Sequence, residues 1–310
     1  MKIIYAGAPA FSVVPLEALL NAGFCVAAVV TQPDKPTGRK AILTPTPLKS
    51  FALSRNIPVL DFAKIREHIA ELKEIGADAM VTCAYGQILT QQVLDCFPSG
   101  VYNIHTSLLP RWRGASPVQH AILSGDKETG VTVMRTDIGL DTGDILLREK
   151  TEISLSDTAA TLSERLSQIG AKLIVEALRA VETGKAVFCK QPQEGATLCK
   201  KIRKEDCLVD FSKAAQELSC LIRAMSPEPL AFSRLHGKLV NFYFAEASEG
   251  DAEGALGQVI RADKSGIYVL TGSGILKILE LQLEGGKKLK AADFVNGRKI
   301  SVGDVFGACI

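Results

Sequence analysis

Val101-Tyr102-Asn103-Ile104-His105-Thr106-Ser107-Leu108-Leu109-Pro110-Arg111-Trp112-Arg113-Gly114 is an apolar strand that ends in polar side chains and a broken loop. Side chains alternate along a strand, so Asn103 and His105 share one face while Ile104 takes the other. An amide and an imidazole therefore converge where the strand stops. Pro110 and Gly114 end regular structure, and Arg111 and Arg113 flank the only tryptophan, Trp112, in a loop suited to a flat or anionic group. Taken alone, Asn-x-His also fits a buried strand with a satisfied histidine.

The runs before it set the fold class. Ile3-Ile4-Tyr5-Ala6, Val26-Ala27-Ala28-Val29-Val30 and Ala79-Met80-Val81-Thr82-Cys83-Ala84 are continuous and apolar, as parallel strands covered on both faces must be. Between them, Val13, Leu16, Leu19 and Leu20 keep helical spacing up to Gly23, and Ile65, Ile69, Leu72 and Ile75 do so up to Gly76. Strand, helix and strand in alternation predict an α/β domain with a Rossmann-like, mostly parallel sheet. The turn at Gly7 is not Gly-x-Gly-x-x-Gly, so a dinucleotide site has no support. Ligands of open α/β sheets bind beyond the carboxyl ends of the strands. The loop Tyr85-Gly86-Gln87-Ile88-Leu89 and the loop after Ile104 are thus expected to line one crevice.

A second polar cluster, Asp137-Ile138-Gly139-Leu140-Asp141-Thr142-Gly143-Asp144, follows the apolar run Val131 to Met134. Gly139 and Gly143 are expected to supply backbone conformations closed to other residues and so aim an aspartate inward. Asp141 is the one expected to meet His105, with Asp144 as the alternative. A plain turn in which either aspartate caps backbone donors uses the same residues.

With 310 residues, the chain has room for two cores. Hydrophobic content of 47% and charged content of 23% belong to an ordinary globular protein and exclude a disordered one. No apolar run reaches the roughly eighteen residues of a bilayer span, so no membrane partner is expected. The N-terminus enters a strand pattern at Lys2 with no leader, which predicts a cytoplasmic protein. The eight cysteines show no Cys-x-x-Cys spacing, so neither a metal site nor a disulfide framework is expected.

From Thr31 to Leu48 the chain is proline-rich and basic, with Lys35, Arg39 and Lys40, and is expected to be an irregular functional loop. Leu162, Leu166, Ile169, Leu173, Ala177 and Val181 mark a long amphipathic helix. Lys200-Lys201-Ile202-Arg203-Lys204 forms either a soluble linker or a ridge for a nucleic-acid backbone. Beyond it, short strands set off by glycine turns, such as Leu239 to Phe244, Gly266 to Leu270 and Ile275 to Leu281, predict a smaller OB-like β-barrel domain. The expected division is 1–189, a basic linker over 190–208, and 209–310.

Asn103-x-His105-x-Ser107-Leu108-Leu109-Pro110, Arg111-Trp112-Arg113-Gly114 and Asp141-Thr142-Gly143-Asp144 together resemble the active-site signature of the formyltransferases that use 10-formyltetrahydrofolate. Gln32-Pro33-Asp34-Lys35-Pro36-Thr37-Gly38-Arg39 is similar to a loop of that family's methionyl-tRNA formyltransferase branch, and the likeness extends over nearly the whole chain. It implies a transferase of translation initiation that moves a formyl group from 10-formyltetrahydrofolate to the α-amino group of methionyl-initiator-tRNA, without a metal, as a monomer. It implies catalytic roles for Asn103, His105 and Asp141. A folate slot is implied from Ser107, Leu108, Leu109, Pro110, Tyr85, Gly86, Gln87, Ile88 and Leu89. Contacts to tRNA are implied from Arg39, Lys35 and Lys40 and from Lys200, Lys201, Arg203 and Lys204. Ala10 departs from the family's usual acid and Glu228 from its frequent aromatic. Small-amine acceptors, or a non-catalytic RNA-binding protein, are the rival readings; the first leaves the basic stretches unexplained and the second leaves Asn103, His105 and Asp141 idle.

Overall fold

A computed structural model describes residues 1–38, 41–250 and 252–307. The chain forms two compact units, one from Met1–Pro117, Glu128–Glu152 and Ser163–Lys200, the other from Val118–Lys127, Ile153–Leu162 and Lys201–Ile310.

In the first unit the apolar runs become β1 (Lys2–Gly7), β2 (Cys25–Thr31), β4 (Ala79–Cys83) and β5 (Gly100–His105), joined by a three-residue strand without an apolar run of its own, β3 (Val59–Asp61), and by β6 (Glu128–Arg135) and β7 (Ile145–Glu152). Their order across the sheet is β7-β6-β5-β4-β1-β2-β3. The first five run parallel, and β6 and β7 add an antiparallel edge. The chain moves outward from β1 to β3 and then returns to β4, so the direction of winding switches between β1 and β4, where such sheets open a crevice. Helices α1 (Val13–Asn21) and α3 (Ile69–Ile75) follow the predicted stretches, α2 (Pro47–Ser54) is a helix that the sequence pattern does not indicate, and Gly76 ends α3 at φ 62°.

The long amphipathic stretch is α4 (Ala159–Glu182). Leu166, Leu173, Ile174, Ala177 and Leu178 are buried along its inner face. Gly170 lets it approach β5 closely, since a Cβ there would lie 2.8 Å from Ile104 Cγ2. Ile104 therefore faces the helix layer, and alternation leaves Asn103 and His105 on the other face.

The 31–48 stretch is more ordered than an irregular loop. Lys35–Thr37 and Ile42–Thr44 pair as a short antiparallel hairpin, with Gly38 and Ala41 at positive φ in the turn. Thr37 and Thr44 also join through their hydroxyls. Cross-strand threonines favour an extended pair, and Pro36 is tolerated because the ribbon is an edge. At its base Lys49 bridges Asp34 and Asp61, each at 2.7 Å, and these bonds raise the lysine's pKa while lowering that of Asp61.

The second unit contains an antiparallel sheet. Its strands are β8 (Ala231–Leu235), β9 (Lys238–Ser248), β10 (Val259–Asp263), β11 (Gly266–Leu270), β12 (Ile275–Leu283) and β13 (Phe306–Gly307). The order is β10-β11-β12-β9-β8-β13. The curled sheet joins its ends through backbone bonds from Val259 N to Asp304 O (2.7 Å), Gly303 N to Val259 O (2.8 Å) and Phe306 N to Gly257 O (2.9 Å). Phe242 and Phe306 meet edge to face inside it, with centroids 5.5 Å apart. Strand β8 escapes the sequence reading because serine occupies one of its buried positions, Ser233, which interrupts the apolar alternation.

Candidate active site

Asn103 and His105, at the end of β5, meet Asp141 at the carboxyl ends of β4 and β5. Asn103 Oδ1 accepts a hydrogen bond from the Thr82 hydroxyl at 2.9 Å. A hydroxyl proton in that position orients the amide, so the Nδ2 donors point the other way, toward Asp141 Oδ1 at 3.4 Å. That contact is long, which leaves Nδ2 capacity for a stronger acceptor. Thr82, one position from the end of β4, looks in sequence like any small residue of a buried strand.

His105 is 5% exposed. Its Nε2 lies 2.9 Å from the Trp112 carbonyl. A carbonyl only accepts, so Nε2 carries the hydrogen, and Nδ1 is the nitrogen turned toward Asp141 Oδ2 at 3.6 Å. Asp141 Oδ2 also accepts the Gly114 amide at 2.9 Å. The Asp144 carboxylate turns elsewhere, with Oδ1 3.6 Å from Lys190 Nζ. Between the two aspartates, only Asp141 faces the histidine.

The glycines of this loop act differently from expectation. Neither Gly139 nor Gly143 has a positive φ; Asp141 itself does, at 51°. Gly143 is required by contact, because a Cβ there would lie 1.7 Å from the Arg135 carbonyl oxygen. At Gly139 a Cβ would lie 1.9 Å from Thr142 Oγ1. The space between the loop and the end of β6 is what excludes side chains, and the unusual conformation falls on aspartate, one of the residues that tolerate it best.

The remaining expected residues divide by environment. Ser107 is buried and donates to Arg111 O at 2.6 Å, and Leu109 packs with Met134 and Ile145. Leu108 is half-buried, and Pro110 follows a cis peptide bond. Tyr85 and Leu89 belong to the core beside β4, where burial pushes the tyrosine pKa up. The Gln87 amide is spent on Ile65 N and Phe62 O, both at 2.8 Å. At Gly86 φ is 76°, and Ile88 is 85% exposed. Ser107, Leu109, Tyr85, Gln87 and Leu89 thus direct their side chains into the protein, while Leu108 and Pro110 are half-buried and Ile88 is exposed. Arg111 stacks over the Trp112 ring at 4.3 Å, but Arg113 is 7% exposed and turned inward. The paired-arginine grip is therefore corrected to a single outward arginine.

Lys35 is exposed and donates to Gln32 Oε1 at 2.7 Å. Arg39 and Lys40 lie outside the described residues. Lys200, Lys201, Arg203 and Lys204 are all exposed. Ala10 and Glu228 are exposed, and nothing in the structure explains either departure. Among the described residues no group of histidine, cysteine and acidic side chains could hold a metal ion, and no helix is long and apolar enough to cross a membrane. Cys199, beside the loop, donates to Trp112 O at 3.3 Å, and burial pushes its thiol pKa up.

The Formyl transferase family model matches residues 1–178, and the model of the Formyl transferase C-terminal domain matches residues 201–299. The methionyl-tRNA formyltransferase of Chromobacterium violaceum is 44% identical to this chain, over 99% of the chain and 100% of the relative. That of Coxiella burnetii is 42% identical, over 99% of each. Among solved structures, the N-formyltransferase from Helicobacter canadensis, in complex with folinic acid and dTDP-3-aminofucose, aligns with a TM-score of 0.67 at 19% identity, over 93% of this chain and 100% of its own. HypX from Aquifex aeolicus in complex with tetrahydrofolic acid gives 0.68 at 17% identity, over 97% of this chain and 48% of its own. The two structures share the fold, and the two curated relatives align with the chain over 99% of its length. The chain belongs to the methionyl-tRNA formyltransferase family.

Proposed function

We propose that this protein transfers the formyl group of 10-formyltetrahydrofolate to the α-amino group of methionine esterified to initiator tRNA. The observation that carries the reading is the meeting of Asn103, His105 and Asp141 at the sheet's carboxyl edge. In the reaction the amine nitrogen attacks the formyl carbon and the carbonyl oxygen takes up negative charge. The new C–N bond forms, the bond to folate N10 breaks, and one proton passes from the attacking nitrogen to N10. Asn103 Nδ2 is the donor for the developing oxyanion, held ready by Thr82. His105 has committed Nε2–H to Trp112, so Nδ1 is the ring nitrogen available to the reacting atoms. The 3.6 Å gap between Nδ1 and Asp141 Oδ2 is too long for a direct hydrogen bond, and the pair serves as the relay through which the proton leaves the amine and reaches N10.

Purified protein, 10-formyltetrahydrofolate and charged initiator tRNA should yield N-formylmethionyl-tRNA, while a dTDP-linked amino sugar should yield no product. The reverse pattern would assign the chain to a small-amine acceptor. The basic hairpin is read as the acceptor-stem contact. Arg39→Ala should raise KM for tRNA, leave KM for folate unchanged and reduce the salt slope of tRNA binding by about one. A change in folate KM alone would give the hairpin to the other substrate.

Thr82→Val keeps the shape of the buried residue and removes the hydroxyl that orients Asn103. With the amide free to rotate, kcat should fall about tenfold at nearly constant KM. Unchanged kcat in Thr82→Val would mean that Asn103 is oriented by something else.

A further inference from the structure

Asp141 has a left-handed backbone, φ 51°, and is held from outside its loop. The Gly114 amide holds its carboxylate, and the Gln191 side chain holds its backbone carbonyl. Gln191 Nε2 donates to the backbone carbonyls of Asp141 and Gly143, each at 2.8 Å. The direction of this amide is settled in turn by Arg113, whose Nε and Nη2 donate to Gln191 Oε1 at 3.1 and 2.8 Å. A guanidinium has only donors, so the oxygen of Gln191 must face it and the NH2 must face the two carbonyls.

The residues that flank Arg113 hold the rest of the cluster. The Trp112 carbonyl takes His105 Nε2, and the Gly114 amide takes Asp141 Oδ2. This short segment is itself secured by the stretch that follows Gln191: Leu198 and Cys199 pair with Arg113 and Gly114, and Thr197 Oγ1 accepts Trp112 N at 2.9 Å. Residues 191–199 thus form a brace against the first unit's site, within the stretch 190–208 expected from the sequence to be a basic linker. Gln191 is the point at which the brace touches the aspartate's own backbone.

We propose that Gln191, oriented by Arg113, is a positioning residue that sets the Asp141 carboxylate against His105 during formyl transfer. The kinetic part rests on the function proposed above. Gln191→Glu retains an acceptor for Arg113 and removes both donors, so the brace stays attached while its hold on the Asp141 turn is lost.

The test combines kinetics with a readout that does not depend on activity. In Gln191→Glu, kcat should fall about 10- to 100-fold, with KM for tRNA and folate within about threefold of wild type. The amide resonance of Gly114, shifted downfield by its bond to the Asp141 carboxylate, should move upfield. Arg113→Lys, which offers one donor nitrogen in place of the two of the guanidinium fork, should do the same to a smaller degree, about fivefold in kcat, and it serves if Gln191→Glu does not fold. Glu194→Ala, an exposed position on the same segment, should change neither. A stationary Gly114 resonance with kcat within twofold of wild type would overturn the positioning role, as would a loss confined to KM for tRNA. Absence of formyl transfer in the wild-type protein would instead overturn the functional reading, and the Gly114 resonance would still decide whether Gln191 holds Asp141.

Discussion

Asn103→Ala is expected to lower kcat for formyl transfer by on the order of a hundredfold or more, with little change in either KM. Charge on the formyl oxygen appears only as the amine attacks, so a donor aimed at that oxygen acts mainly on the transition state. In the resting site Nδ2 makes only a 3.4 Å contact, and its partner Thr82 retains a long contact to Tyr102 O at 3.5 Å when the side chain is removed. Folding stability should therefore change by no more than about 1 kcal/mol. Circular dichroism and thermal melting beside single-turnover kinetics separate the two quantities. A variant that melts like the wild type and transfers at the wild-type rate would remove Asn103 from the reaction.

Gly143→Ala is expected to abolish most activity without touching a reacting group. The added carbon would lie 1.7 Å from Arg135 O and 2.9 Å from Arg135 C, both backbone atoms at the end of β6. Relief requires the loop to leave the strand, against the bond from Arg135 N to Asp144 O at 2.9 Å. Such overpacking costs roughly 1–3 kcal/mol of stability. The same displacement carries Asp141 away from His105, and a shift of about 1 Å is enough for a hundredfold loss in rate. Gly139→Ala is the matched comparison, since the contact there is a side-chain atom, Thr142 Oγ1, rather than backbone. Gly143→Ala should be worse in both melting temperature and kcat. Equal effects from the two would show that the loop yields as a whole and that the Arg135 contact is not the constraint.

Much of the fold is legible because it is written in local periods. The continuous apolar runs at 26–30 and 79–84 become adjacent parallel strands about β1, and the three- and four-residue spacing from Leu162 onward becomes α4. The hairpin at 35–44 is less legible, since proline and basic residues mask a cross-strand threonine pair that exists only after the turn closes. Strand β8 is missed for a similar reason: the polar side chain of Ser233 is buried because its hydroxyl finds the Gly307 carbonyl at 3.1 Å, far along the chain.

The candidate site divides along the same line. That Asn103 and His105 share a face follows from the two-residue repeat of a strand, a property of consecutive residues that needs no partner. Which aspartate meets them does not follow, because Asp141 and Asp144 stand in nearly the same local pattern. Their difference lies in what comes from elsewhere in the chain: the Gly114 amide and the Gln191 side chain for Asp141, and the Lys190 ammonium for Asp144. By itself the sequence determined the parallel character of the sheet, most of its strands, several of its helices and the two polar heads at the end of one strand. Only the tertiary structure decided the third member, since a hydrogen bond between residues dozens of positions apart depends on distance in space, which no local repeat encodes.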